Sequence, residues 1–161
     1  MEVGTDMRLL RKANWKLWLF AVVKIPMINF CRPRITELSD ASIKVKIKLR
    51  RRTRNHLNSM YLGVMAVGAD LASGMLAFHH MDRTGIQASL IFKDMKVQYL
   101  KRAESDVFFC CDMGAEVRKM LTNSKESGER QTEMIKVLAK CGEEVVAEFD
   151  LGLSLKVITN K

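Results

Sequence analysis

One carboxylate, Asp70, stands alone in a run of apolar and small residues that extends from Tyr61 to Phe78. Burying an uncompensated carboxylate is costly, so an acid kept in such a run is a candidate for chemistry. Asn55 lies fifteen positions earlier, and a predicted helix start near Leu62 lies between the two. An amide, a set of free backbone N–H groups and an acid therefore follow in fixed order, a set suited to attack on an activated carbonyl.

The elements that must position these groups can be read from periodicity. Leu9, Leu10, Ala13, Leu17 and Phe20 recur at helical spacing and predict a helix over about residues 6–24, stopped by Pro26, with Trp15 and Trp18 widening its apolar face. Ile43, Val45, Ile47 and Leu49 alternate with Lys44, Lys46, Lys48 and Arg50, which predicts a half-buried strand with a cationic outer face. Arg51 to Met60 is polar and irregular. The long apolar helix follows, ending near His79 or His80, with Asp82 to Gly85 as a turn. Its many Gly, Ala and Ser positions suit a helix pressed closely by a sheet wrapped around it.

Strand-like segments occupy Ile86–Tyr99, Asp106–Asp112, Gln131–Lys140 and Glu143–Ile158, with a short helix at Ala115–Leu121 and a polar connector at Thr122–Arg130. Cys141-Gly142-Glu143 predicts the hairpin turn between the last two strands. The fold class is α+β, an antiparallel sheet with its main helix on one face, and the last strand is expected to offer an edge for dimerisation.

At 161 residues the chain is expected to form a single domain, with no repeat and no repetitive tract. The net charge of +9, from 27 Lys and Arg against 18 Asp and Glu, favours an anionic partner: a nucleotide, a phosphorylated cofactor, nucleic acid or an acidic lipid surface. Much of the excess lies between Lys44 and Arg54, where a solvated strand face would also account for it. Cys31, Cys110, Cys111 and Cys141 form no C-x-x-C pair and have no histidine at metal-ligand spacing, so free thiols, a reducing cytoplasm and no metal are expected. Neither the N-terminal apolar stretch, bracketed by Lys16 and Lys24, nor the Tyr61–Phe78 run, interrupted by Asp70, reads as a signal peptide or a membrane span.

The pattern Asn55-x5-Tyr61-Leu62-Gly63-x6-Asp70 resembles the signature N-x5-H-G-G-x6-D of PaaI-like hotdog-fold acyl-CoA thioesterases. The order of elements is similar over about residues 35–158, and the N-terminal helix resembles an addition found in an uncharacterised branch of that clan. The resemblance implies a hotdog fold, in which an antiparallel sheet wraps a long central helix. It also implies that Asp70 is general base or nucleophile, that the Leu62 N–H beside Gly63 polarises the thioester carbonyl, and that Asn55 holds the same oxygen or positions the substrate. His56 and Tyr61 would line the substrate site, and Arg51, Arg52 and Arg54 suit the phosphates of coenzyme A, which enters as part of the substrate, with no separate cofactor.

Leu62 and Asp70, eight residues apart, stand about 12 Å apart along one helix and cannot touch one carbonyl carbon. The site is therefore expected to combine Asn55 and Leu62 of one subunit with Asp70 of another, in a homodimer or dimer of dimers. Two departures stand out: Tyr61-Leu62-Gly63 replaces His-Gly-Gly, and the strand after the helix offers only Ser89 and Asp94 to orient water. The competing reading is a hotdog protein that binds acyl-CoA or another apolar ligand without turnover. A nucleic-acid-binding module is the third, without a helix-turn-helix, zinc or stacking signature to support it.

Overall fold

In the computed structural model, which describes residues 6–158, the first helix starts where Asp6 accepts the Arg8 N–H at 2.9 Å. Helix α1 spans Met7–Val23 and buries Ala13, Leu17 and Ala21. Trp15 and Trp18 do not widen that buried face: they lie on the opposite, exposed side, stacked on each other at 5.0 Å. Pro26 opens a further short helix, α2 (Pro26–Cys31), too brief to leave a periodic signal in the sequence.

A strand that the alternation did not reveal, β1 (Arg34–Leu38), pairs with β2 (Ile43–Ile47). An irregularity between Ile35 and Glu37 breaks its alternation and hides it. The β2 strand ends two residues before Leu49, because the Leu49 N–H is taken by the Asp106 carboxylate at 2.9 Å and Thr53 closes a turn on Lys48 and Arg50. The remaining elements are α3 (Leu62–Thr84), β3 (Ala88–Tyr99), β4 (Val107–Cys111), α4 (Gly114–Ser127), β5 (Gln131–Cys141) and β6 (Glu144–Val157). The six strands form one antiparallel sheet in the order β1-β2-β4-β5-β6-β3. The last strand is interior, and the edges are β1 and β3. Asn14 of α1 docks on the β1 edge, donating to the Ile35 carbonyl at 2.8 Å and accepting the Ile35 N–H at 2.9 Å.

The sheet wraps α3, which packs against β2, β4, β5 and β6. This helix is long and apolar enough to cross a membrane, yet it is the core helix of the fold, with Ala69, Ala72, Leu76 and Ala77 fully enclosed. It extends beyond His80 because Asp82 and Arg83 pair outward, with Lys16 and Asp40, before Gly85 stops it in the left-handed conformation. Similarly, α4 continues through the expected connector to Ser127, since Ser124 is buried and bonded to the Glu129 carbonyl and the Val157 N–H.

Gly68 sets the distance between helix and sheet. A Cβ there would stand 2.2 Å from the Phe109 ring of β4, itself wholly buried. Gly68→Ala gains about 1 kcal/mol of helix propensity and loses about 2–3 kcal/mol to overpacking, so a net destabilisation of about 1–2 kcal/mol is expected in denaturant unfolding.

At the other end of α3, His79 donates to the Asp40 carboxylate at 2.8 Å and His80 to the Asp40 carbonyl at 3.0 Å. The His79 hydrogen bond holds the Asp40 carboxyl below its usual range, while burial and then the neighbouring His79 lower the His80 pKa below 6.5. His80 binds fewer protons folded than unfolded, so stability should fall as pH drops below about 6.5 towards its lowered folded value. Thermal unfolding at successive pH values should show this loss in the wild type and a weaker one in His80→Gln.

Candidate functional site

The loop that leads into α3 is shaped by Asn55. Its Oδ1 accepts the Leu57 N–H at 2.9 Å and the Ser59 N–H at 3.2 Å, and its amide lies 3.1 Å from Ser59 Oγ. Arg54 and Met60 bridge across the base of this loop, and the Tyr61 N–H donates to the Thr53 carbonyl. The chain is thereby delivered to the first turn of α3 in a fixed direction.

Tyr61 is the N-cap residue and offers no side-chain cap. Its carbonyl accepts the N–H groups of Val64 and Met65. The N–H groups of Leu62 and Gly63 donate to nothing among the described residues, which leaves two aligned donors at the positive end of a 23-residue helix. The Tyr61 ring folds over this turn: a Cβ on Gly63 would lie 2.7 Å from it. Asn55, His56, Tyr61 and Leu62 line one recess of about 330 Å³, together with Tyr99, Lys101 and Arg102 from the far end of β3 and beyond. Sequence reasoning missed these last three, because only the fold brings position 100 to the start of α3.

Asp70 opens into a different recess, of about 300 Å³, with Phe20, Met75, Phe78, Leu90 and Phe92 among its walls. The residue is half-buried, and its carboxylate has neither hydrogen bond nor ion pair among the described residues. Burial with no compensating donor pushes its pKa up. Phe20, Met75 and Phe78 also line a second, separate groove between α1 and α3, whose rim has Lys12, Lys16, Asp82 and Arg83. Met75 thus serves the cavity as well as the core.

The arginines divide. Arg52 lies over the Phe30 ring at 5.4 Å and lines a cationic groove with Arg32, Arg34, Lys46, Lys48 and Arg50, away from the Leu62 recess. Arg51 and Arg54 are exposed and line neither recess. Ser89 lies within 3.5 Å of Arg130, and Asp94 stands against Gly152. His79 and His80 are committed to Asp40. Cys111 is enclosed and its thiol is pushed up to about 11 by burial, whereas Cys110 is half-buried on the other face of β4.

Residues 13–153 match the family described as Domain of unknown function (DUF4442). The chain belongs to the DUF4442 family. No curated protein matches it in sequence. Among solved structures, it is similar to a Shewanella oneidensis protein to which a thioesterase role has been ascribed, at 17% identity and a TM-score of 0.79, over 95% of this chain and 100% of that one. A Pseudomonas aeruginosa protein of unknown function, also ascribed a thioesterase role, matches at 21% identity and a TM-score of 0.76, over 89% and 95%. A mutant thioesterase of the same organism matches at 12% identity and a TM-score of 0.65, over 98% of each chain. This DUF4442 chain therefore has the hotdog fold, with the N-terminal helix in addition.

An unpaired, half-buried carboxylate costs stability that an amide would not. Asp70→Asn should raise the unfolding midpoint at neutral pH, and the gap should narrow as acid protonates the wild-type carboxyl, whose folded pKa is the higher one. Thermal unfolding of both proteins from pH 7 to pH 4 measures this.

Proposed function

We propose that this chain hydrolyses acyl thioesters, as an acyl-CoA thioesterase of the PaaI-like type whose site is shared between two copies. One observation carries the proposal: a single helix holds an unpartnered carboxylate at Asp70 and two unpartnered N–H groups at Leu62 and Gly63, too far apart to serve one carbonyl. The edge strand β3 supplies Leu90 and Phe92 to the Asp70 recess. In this proposal a second copy adds along that edge and sets its own helix start towards the carboxylate.

In the reaction, Asp70 takes a proton from water as the water oxygen bonds to the carbonyl carbon. The Leu62 and Gly63 N–H groups of the second copy hold the negative charge that gathers on the carbonyl oxygen. The carbon–sulfur bond then breaks and the proton passes to the departing sulfur, giving a carboxylic acid and a free thiol. Each such donor contributes about 3 kcal/mol to the transition state, and the base contributes about two to four orders of magnitude in rate. Burial raises the Asp70 pKa, which improves it as a base near neutrality. The acyl group occupies the apolar recess walled by Phe20, Met75, Phe78, Leu90 and Phe92. Asn55 acts by shaping the loop before Leu62, and His56 and Tyr61 flank the thioester. Lys101 and Arg102, paired with Glu144 and Glu104, are the cations of this recess for the coenzyme A phosphates, while Arg51, Arg52 and Arg54 lie outside it.

A second reading, binding without turnover, is favoured by the Tyr61 ring lying over Gly63 and by the Leu62 side chain where the family pattern has glycine. Thiol release from a panel of acyl-CoA substrates separates the two. Turnover that falls at least about a hundredfold in kcat/KM in Asp70→Asn supports hydrolysis. The wild-type rate should rise with pH through a value above about 3.9, the ordinary aspartate range, because burial raises the Asp70 pKa. Acyl-CoA binding by calorimetry with no thiol released establishes the second reading. A fully active monomer in solution excludes the shared site.

A further inference from the structure

Helix α1 is apolar on two sides. Ala13, Leu17 and Ala21 face the core, while Trp15, Trp18, Leu19 and Val22 form a second stripe at helical spacing that faces outward. Trp15 is 62% exposed and Val23 63%, and the patch continues through Met27 (64%) and Phe30 (52%) of α2. An apolar surface of this extent, on adjoining helices, marks an interaction site.

The charge of the same segment indicates what covers it. Between Met7 and Thr36 the chain has seven Lys and Arg residues and no Asp or Glu. Among the described residues only Lys16 of these has an ion-pair partner, Asp82. A broad shallow concavity of about 1070 Å³ runs beside Trp15 and Trp18, with Arg8, Arg11, Lys12 and Arg34 around it. Indole rings prefer the boundary between hydrocarbon and water, and Lys and Arg keep their charge in water while their stems lie on apolar surface. A second copy is a poor occupant, because a two-fold contact sets each patch against itself and brings two sets of unpaired cations together.

We propose that α1 and α2 form a docking surface for an anionic membrane, with α1 lying in the plane of the interface, the two indoles at headgroup depth and the surrounding Arg and Lys side chains on lipid phosphates. The proposal does not depend on the thioesterase reading, since none of the outer-face residues lines the Asp70 or Leu62 recess.

Both tryptophans of the chain lie on this surface, so tryptophan fluorescence, excited selectively over that of Tyr61 and Tyr99, reports on it alone. The full-length protein should sediment with vesicles of phosphatidylcholine and phosphatidylglycerol, with a blue shift in emission, and should bind pure phosphatidylcholine vesicles much less. High salt should weaken the binding, and the triple variant Leu19→Gln, Val23→Gln, Met27→Gln should weaken it about tenfold while keeping the wild-type circular dichroism and unfolding midpoint. Absence of both sedimentation and blue shift with anionic vesicles overturns the proposal. So does a variant that binds them as the wild type does, or one whose only change is a smaller mass in solution, which would make the patch an interface between copies.

Discussion

Everything in this fold depends on how closely α3 approaches the sheet. The helix is long, almost wholly apolar and surrounded, and it can lie that near only because Gly68 leaves room for the Phe109 ring. Ala69, Ala72 and Ala77 are enclosed along the same helix. Small side chains are a poor source of buried area but a good source of rigidity, since they let backbones approach and leave few rotamers to choose among. A helix fixed in this way holds both its first turn and its middle in defined positions relative to β3, and those two places are where the unpaired donors and the unpaired acid occur.

The uncompensated carboxylate is tolerated because it is only half-buried, at the wall of an open recess. Asp70 gains nothing from its neighbours: the walls of its recess are aromatic and aliphatic, and no cation of the described chain reaches it. Elsewhere the molecule satisfies its buried polar groups with care. Ser154, fully enclosed, bonds to Thr132, and His79 and His80 both find Asp40. No buried side-chain nitrogen or oxygen among the described residues lacks a partner, so the unpaired Asp70 carboxylate, half-buried, is one whose oxygens reach solvent at the mouth of its recess.

The long elements were legible in the sequence because their periodicity is strong: α1, α3, β5 and β6 are all visible in the spacing of their apolar residues. What was hidden had physical causes. The irregularity at Ile35 and Glu37 broke the alternation of β1, six residues gave α2 no period, and tertiary partners carried α3 and α4 past the polar residues that suggested their ends. The separation of Leu62 from Asp70 followed from helix geometry alone. Tyr99, Lys101 and Arg102 beside Leu62 belong to the packing of elements, which no local pattern encodes, whereas the outward turn of Trp15 follows from its place two residues from both Ala13 and Leu17.

The Asn14 carboxamide on Ile35 has a wider consequence. It gives that residue of β1 the donor and the acceptor that a neighbouring strand would otherwise supply, so a side chain blocks further pairing at Ile35, within a five-residue strand. The twelve residues of β3 are left as the sheet's one long unsealed margin. The N-terminal helix thus occupies part of one margin and leaves β3 as the longer free edge, so the two sides of the sheet are not equivalent towards a further strand.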